Sequence, residues 1–241
     1  MRRRDHFWRG LRDGLPIGLG YFAVALALGI KAVGAGISPL EAALMSLLNL
    51  TSAGEAAGVV LLGLGTTYVE LAFSQLVINL RYLLMSCSLS QKILASTSLL
   101  HRLLISYGVT DEIFGVSIAV DGALSPYYSY GVIAMAAPGW TLGTLLGALL
   151  GSILPSRAVS ALGVALYAMF LAVVLPPARK SRVIAGVVAV SMAASLGLEV
   201  LCRLFSLTFL TEGFRIILLT VLIAGGAALL FPLKEESEGK A

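Results

Sequence analysis

An all-α bundle of transmembrane helices is the fold class this sequence predicts, and three observations predict it. Hydrophobic residues make up 58% of the chain and charged residues only 12%, against about 25% charged in an ordinary soluble domain. A soluble protein this poor in charge could not cover its surface, whereas lipid needs no such cover. Mean hydropathy is +0.94, and apolar runs near the ~20 residues that cross a bilayer as a helix recur down the chain. The 26 glycines fit the same class, because glycine is more frequent in membrane helices than in soluble ones. The reading is one transmembrane domain over residues 1–241, with a basic cytoplasmic N-terminus at 1–13 and a short charged tail at 233–241.

The spans follow in order. Arg2, Arg3, Arg4, Arg9 and Arg12 precede a run from Leu15 to about Val33. A basic end before an apolar core also opens a secretory signal, but the run is long and many like it follow. It reads as a retained first helix with its arginines in the cytoplasm, as the positive-inside tendency places them. Pro39 to Leu64 is a second span, introduced by the helix-start pair Ser38-Pro39. Thr66 to Leu89 is a third. Residues 91–108 are amphipathic, with Lys92, His101 and Arg102 among leucines, and 109–129 are mixed, with Asp111, Glu112 and Asp121. Gly131 to Ile153 is stopped by Pro155, and Ala158 to Leu175 is closed by Pro176-Pro177. Val183 to Leu204 and Phe214 to Phe231 complete seven spans.

Charge bias bears on the count. With the N-terminus inside, three crossings put residue 90 outside. Four more then put Arg179, Lys180 and Arg182 outside too, against the bias. An eighth crossing, or a re-entrant piece within 91–129, stays open for that reason. Gly20 to Ile30 also resembles Gly143 to Ile153, each followed by a proline (Pro39, Pro155) and another apolar span, as internal repeats in transporters are.

Polar residues inside apolar runs mark where chemistry is to be sought, because charge at membrane depth costs several kcal/mol unless it faces protein or water. Asn49, Thr51, Ser52, Gly54 and Glu55 lie in the middle of the second span. They predict a helix broken around residues 49–58, whose freed backbone groups can bind a ligand where they line a cavity. The alternative is an unbroken helix packed through small residues, with Glu55 near an interface. Asn79 and Arg81 come late in the third span. Arg81 either snorkels, pairs with Glu55, or holds a carboxylate bidentately. Thr110 before Asp111 and Glu112 reads as a helix cap with acids at the positive end of the dipole, with substrate contact as the other reading. Gly143, Gly147 and Gly151 form a seam that lets a helix of this chain or another approach closely. Glu199 and Arg203, four apart, suit a pair on one helix face. Cys87 and Cys202 read as buried, inert thiols.

The chain has no Walker-type phosphate loop, no HExxH and no GxSxG. Two histidines and two scattered cysteines make no metal site, so neither a metal nor another cofactor is expected. A membrane enzyme acting on lipid would need Asp111, Glu112, His101 and Arg102 to converge in one polar cavity.

The order of motifs resembles one family. Asp13-Gly14-Leu15-Pro16-Ile17-Gly18 opens the first helix and the Ser46 to Ala57 stretch follows. Then come Asn79-Leu80-Arg81-Tyr82-Leu83-Leu84-Met85-Ser86, Thr110-Asp111-Glu112 and Gly139-Trp140-Thr141-Leu142-Gly143. Together, over about residues 10–232, they resemble the AzlC family, the large subunit of branched-chain amino acid exporters. The resemblance implies export of valine, leucine, isoleucine or analogues across the cytoplasmic (inner) membrane. It also implies a small partner membrane subunit of the AzlD type; with no catalytic constellation in the sequence, no enzymatic activity is expected. Where the family reads close to F-A-G-A-A-Q-F, this chain has Leu50-Thr51-Ser52-Ala53-Gly54-Glu55-Ala56. A carboxylate at that place can carry a proton or favour a cationic group, and losing the aromatic reshapes any side-chain pocket. The expectation is a proton-driven secondary transporter. Glu55 would serve the ammonium or the coupling proton, and Asn79 and Arg81 the carboxylate or a gate. A non-transporting assembly or sensor subunit, its glycine seam holding a partner, is the alternative.

Overall fold

A computed structural model of the chain describes residues 2–151, 153, 157, 164, 171, 175, 178, 179, 181–205 and 212–231. Its elements are helices: α1 (Arg3–Gly34), α2 (Pro39–Leu48), α3 (Ser52–Gly63), α4 (Tyr68–Lys92), α5 (Leu99–Tyr107), α6 (Asp111–Ile118), α7 (Pro126–Leu150), α8 (Arg182–Phe205) and α9 (Glu212–Leu230). The all-α membrane bundle is therefore as expected, and so is the broken helix, interrupted at residues 49–51. Three stretches are long and apolar enough to cross a membrane among the described residues: Arg3–Gly34, Pro126–Leu150 and Arg182–Cys202. The span expected at Ala158 to Leu175, its bounding prolines, Lys180, the side chain of Arg203 and the tail at 233–241 fall wholly or largely outside the described residues. The chain divides into two compact units, one of residues 1–65 and 79–169, the other of 66–78 and 170–241.

The first unit is built on α1 and α7, which run parallel. Gly10 meets Tyr128 and Gly131, Gly18 meets Met135 and Gly139, Phe22 meets Gly143, and Leu26 meets Gly147. Residue numbers rise together along both helices. A methyl group at any of these glycines would collide with the backbone opposite, and small residues are what let membrane helices approach so closely. The seam at Gly143 and Gly147 is thus filled by α1 of the same chain, and Gly151 lies against Ile30. The two similar segments at Gly20 to Ile30 and Gly143 to Ile153 prove to be packing partners.

Two helical hairpins complete this unit, and the first of them stands where the sequence predicts the second span. α2 starts on a capping box in which Ser38 and Glu41 each satisfy the other's backbone amide. It stops at Leu48, and α3 restarts on Thr51, whose hydroxyl accepts from the amide of Gly54 at 3.4 Å. The Ser46 and Glu55 side chains touch across the break, although nine residues of straight helix would part them by about 13 Å along the axis. Gly63, at the end of α3, sits beside Ala35, the residue that ends α1. The stretch Pro39 to Leu64 therefore enters and leaves at the same end instead of crossing.

α5 and α6 do the same from the other end. Thr110 caps α6, accepting from the amide of Ile113 at 3.2 Å. Lys92, at the end of α4, donates to the carbonyls of Ile118 and Val120, and Leu124 donates to the Lys92 carbonyl at 2.8 Å. His101, early in α5, lies against Tyr127 and Tyr130 at the start of α7. The start of α5, the end of α6, the end of α4 and the start of α7 therefore share one end of the unit. The region 91–129 is re-entrant. Where the hairpins meet, the Tyr107 hydroxyl donates to the Leu47 carbonyl at 2.7 Å.

In the second unit α8 and α9 flank a cavity of about 710 Å³ lined by Ser191, Ser195, Glu199, Arg215 and Thr220 among apolar residues. Glu199, expected beside Arg203, is ion-paired with Arg215 of α9. The two cysteines are free, but Cys87 is exposed and Cys202 half-buried. An apolar run does not make a residue buried when the helix face it occupies points away from the core.

Candidate functional site

The polar side chains at the meeting point of the hairpins form three short chains of hydrogen bonds. The first centres on Glu55, which is 1% exposed. The Trp140 indole N–H donates to its Oε2 at 2.6 Å, and the Ser46 hydroxyl donates to its Oε1. Having one proton, Ser46 then accepts from Thr144, 2.7 Å away. Trp140 and Thr144 are four apart and so project from one face of α7. Both oxygens of a carboxylate without a counter-ion are thus satisfied by neutral donors, which is what burial of such a group requires.

The second chain runs through Arg81. Its guanidinium pairs with Asp111 at 2.7 Å and donates to the Tyr82 hydroxyl at 3.1 Å. Tyr82 donates to Thr51 at 3.1 Å, and Thr51 donates to the side-chain Oδ1 of Asn79 at 2.9 Å. Each hydroxyl spends its proton once, so the direction is fixed from Arg81 to Asn79. Arg81 packs over the Tyr82 ring at 4.9 Å, and its Nε is buried without a hydrogen-bond partner. The chain ties α4 to the cap of α3 and, through Asp111, to the first turn of α6.

The third chain joins the other two. The Tyr21 hydroxyl lies 2.6 Å from Glu112 Oε2 and 2.7 Å from Thr110 Oγ1. Its ring stands edge-on to Trp140, centroids 5.3 Å apart.

Of the residues expected at the site, Thr51, Glu55, Asn79, Arg81, Asp111 and Glu112 come together here. Gly54 contributes its amide to the Thr51 cap. The side chains of Asn49 and Ser52 join none of the three chains; Asn49 ends α2 and Ser52 opens α3. Arg81 pairs with Asp111 and not with Glu55, because Glu55 faces α7 and Arg81 faces the tip of the second hairpin. Tyr21, Ser46, Tyr82, Trp140 and Thr144 also belong to the site, although their spacing in the sequence does not mark them as site residues. Their signal is faint: each is a polar-tipped side chain on a helix face otherwise made of small or apolar residues.

His101, Arg102, Asp111 and Glu112 do not converge. His101 meets Tyr130 at 2.5 Å, and Arg102 donates to the carbonyls of Thr97 and Leu94. Asp111 and Glu112 are taken by Arg81 and Tyr21. Among the described residues no three His, Cys, Asp or Glu side chains are grouped to hold a metal ion.

The family model described as AzlC protein matches residues 16–154, more than half of the chain and nearly all of the two hairpins with their flanking helices. The chain belongs to the AzlC family. It is 27% identical over 143 residues to inner membrane protein YgaZ of Escherichia coli (strain K12), covering 58% of each chain. It is 32% identical over 183 residues to an uncharacterized membrane protein of Archaeoglobus fulgidus, covering 75% of this chain and 80% of that one. The matched part thus spans little more than half the length of the Escherichia coli relative. No solved structure matches. As an AzlC-family protein the chain is a membrane protein, of a family known generally as components of amino-acid exporters.

Proposed function

We propose that this AzlC-family protein is a secondary transporter that exports small, branched-chain amino acids across the cytoplasmic membrane, driven by the proton gradient. It would act with a small AzlD-type membrane subunit. The observation that carries this reading is the polar network where two re-entrant hairpins from opposite ends of an apolar bundle meet. Broken helices that join at membrane depth line cavities in secondary transporters, with half-helix N-termini facing the anionic group of the substrate. The N-termini of α3 and α6, capped by Thr51 and Thr110, both lie at this point.

In this reading Arg81 exchanges Asp111 for the substrate carboxylate, and Asn79 and the Thr51 cap orient the main-chain groups. Glu55 has no open face for an ammonium group, so it serves the proton. The Glu55–Ser46–Thr144 chain accommodates either protonation state. Ser46 donates to the carboxylate and accepts from Thr144, or a protonated Glu55 donates to Ser46, which turns to Thr144. The assembly-subunit reading loses its motive, since α1 already fills the glycine seam.

The test is export of labelled valine, leucine, methionine and a basic amino acid from cells with and without the protein, the small subunit co-expressed. Protein-dependent efflux of the aliphatic substrates is expected. Equal efflux with and without the protein sinks the reading. Glu55→Gln is expected to abolish the dependence of efflux on the proton gradient, and unchanged pH dependence would remove Glu55 from that role.

A further inference from the structure

Glu55 and Glu112 belong to different hairpins, and one side chain links them. From the first hairpin, Glu55 accepts from the Trp140 indole at 2.6 Å. Trp140 meets the edge of Tyr21, which is 6% exposed. Tyr21 in turn reaches both Glu112 and Thr110, the first acid and the cap of the second hairpin. The hydrogen bonds of the Tyr21 hydroxyl go to the second hairpin, and its ring contact is with Trp140, the donor to Glu55. Trp140 holds the only N–H aimed at Glu55 among the described side chains.

We infer that Tyr21 is the positioning residue that transmits the state of the first hairpin to the second, so that the two move in sequence and not independently. This rests on the proposed proton role of Glu55. When Glu55 takes up a proton, its hold on the indole weakens and the Trp140 ring is free to shift. The Tyr21 ring must then follow, since the two are in edge contact. A displaced Tyr21 hydroxyl can no longer reach both Glu112 and Thr110, and the α6 cap loosens. The effect is reciprocal, because coupling between two sites is a shared free energy.

The other charged and titratable groups near this path are few. The Glu55 carboxylate faces Ser46 from α2 and Trp140 and Thr144 from α7, none of which titrates. The Tyr21 hydroxyl faces Glu112 from α6 and Tyr82 from α4. Asp111, next to Glu112, is held by Arg81 of α4.

The experiment uses the full chain in proteoliposomes with two reporters. Trp8→Phe leaves Trp140 as the sole tryptophan, and its emission reports Glu55. Ser106→Cys, on exposed α5 one turn before the second tip, is the only thiol once Cys87→Ser and Cys202→Ser are made. Its rate of reaction with a small thiol reagent, divided by the rate of a free thiol at the same pH because only the thiolate reacts, reports the second hairpin, and this ratio is the labelling rate meant below. From acidic to mildly alkaline pH both signals are expected to change. The labelling rate should change by roughly fivefold or more, the lower end of typical coupling between sites.

Tyr21→Phe should keep the Trp140 signal and abolish the pH dependence of the labelling rate taken relative to a free thiol. Glu112→Ala, which removes one of the two bonds from Tyr21 to the second hairpin and leaves the one to Thr110, should reduce that dependence. Labelling that follows pH in both variants as it does in the wild type overturns the proposal while leaving the Glu55 reading intact. So does wild-type labelling that ignores pH while Trp140 responds. A Trp140 signal unmoved by pH, or kept in Glu55→Gln, overturns the proton role itself and the inference with it.

Discussion

At the scale of single residues, the site consists of groups whose removal leaves a specific partner stranded. Trp140→Phe keeps an aromatic ring beside Tyr21 while deleting one N–H, so one oxygen of the buried Glu55 loses its donor. A stranded buried acceptor costs about 1–3 kcal/mol, more for a charged one. The expected result is a clearly lower thermal midpoint in detergent. The midpoint should be partly restored in Trp140→Phe/Glu55→Gln, where the group left without a partner is neutral. No loss in the single variant would mean that the indole bond is not made in the membrane. Arg81 and Asp111 invite a second comparison. Each is partly exposed, 33% and 20% by side chain, so their bond is poised to open, and either single neutralisation should reduce substrate efflux. If the pair acts as a gate, Arg81→Asp/Asp111→Arg should recover part of the loss. If Arg81 itself binds the substrate carboxylate, the swap should recover nothing.

At the scale of elements, the glycines separate into two classes that the sequence does not distinguish. Gly147 is pressed against Leu26 of α1, whereas Gly225 of α9 has open space where a side chain would stand. Gly147→Ala should therefore reduce folded yield and thermal stability, and Gly225→Ala should leave both unchanged. Equal behaviour of the two would mean that α1 and α7 do not pack as described. The membrane helices and the break near Glu55 were legible because they depend on local composition and on a threonine cap followed by small residues. The hairpins were not. Hydropathy is averaged along a stretch such as Pro39 to Leu64, and its 26 residues satisfy the length of a crossing whether the chain continues or turns back. Only contacts distant in sequence, Gly63 on Ala35 and Lys92 on Ile118 and Val120, reveal the reversal. For the same reason Thr51, Glu55 and Arg81 could be named as site residues, while Tyr21 and Trp140 could not. The value of those aromatics lies in standing between two hairpins.

At the scale of the whole molecule, the hairpins change which loops share a side of the membrane. Counting Pro39 to Leu64 as a crossing puts residue 90 on the side opposite the N-terminus. With both hairpins re-entrant, the start of α1, the end of α4 and the start of α7 lie at one end of the first unit, and the turn after α1 lies at the other. The charges agree with this arrangement. Arg2, Arg3, Arg4, Arg9, Arg12, Lys92 and Arg102 gather at the first end, while Lys31 is near the second. Basic residues mark the cytoplasmic side, so that end should face the cytoplasm. In a chain without native cysteines, Gly34→Cys should react in intact cells with a thiol reagent that cannot cross the membrane. Arg3→Cys and Ser96→Cys should react only after the membrane is opened. Labelling of Ser96→Cys in intact cells together with protection of Arg3→Cys would restore a full crossing between them. The paired-hairpin architecture, and the transport reading built on it, would then be withdrawn together.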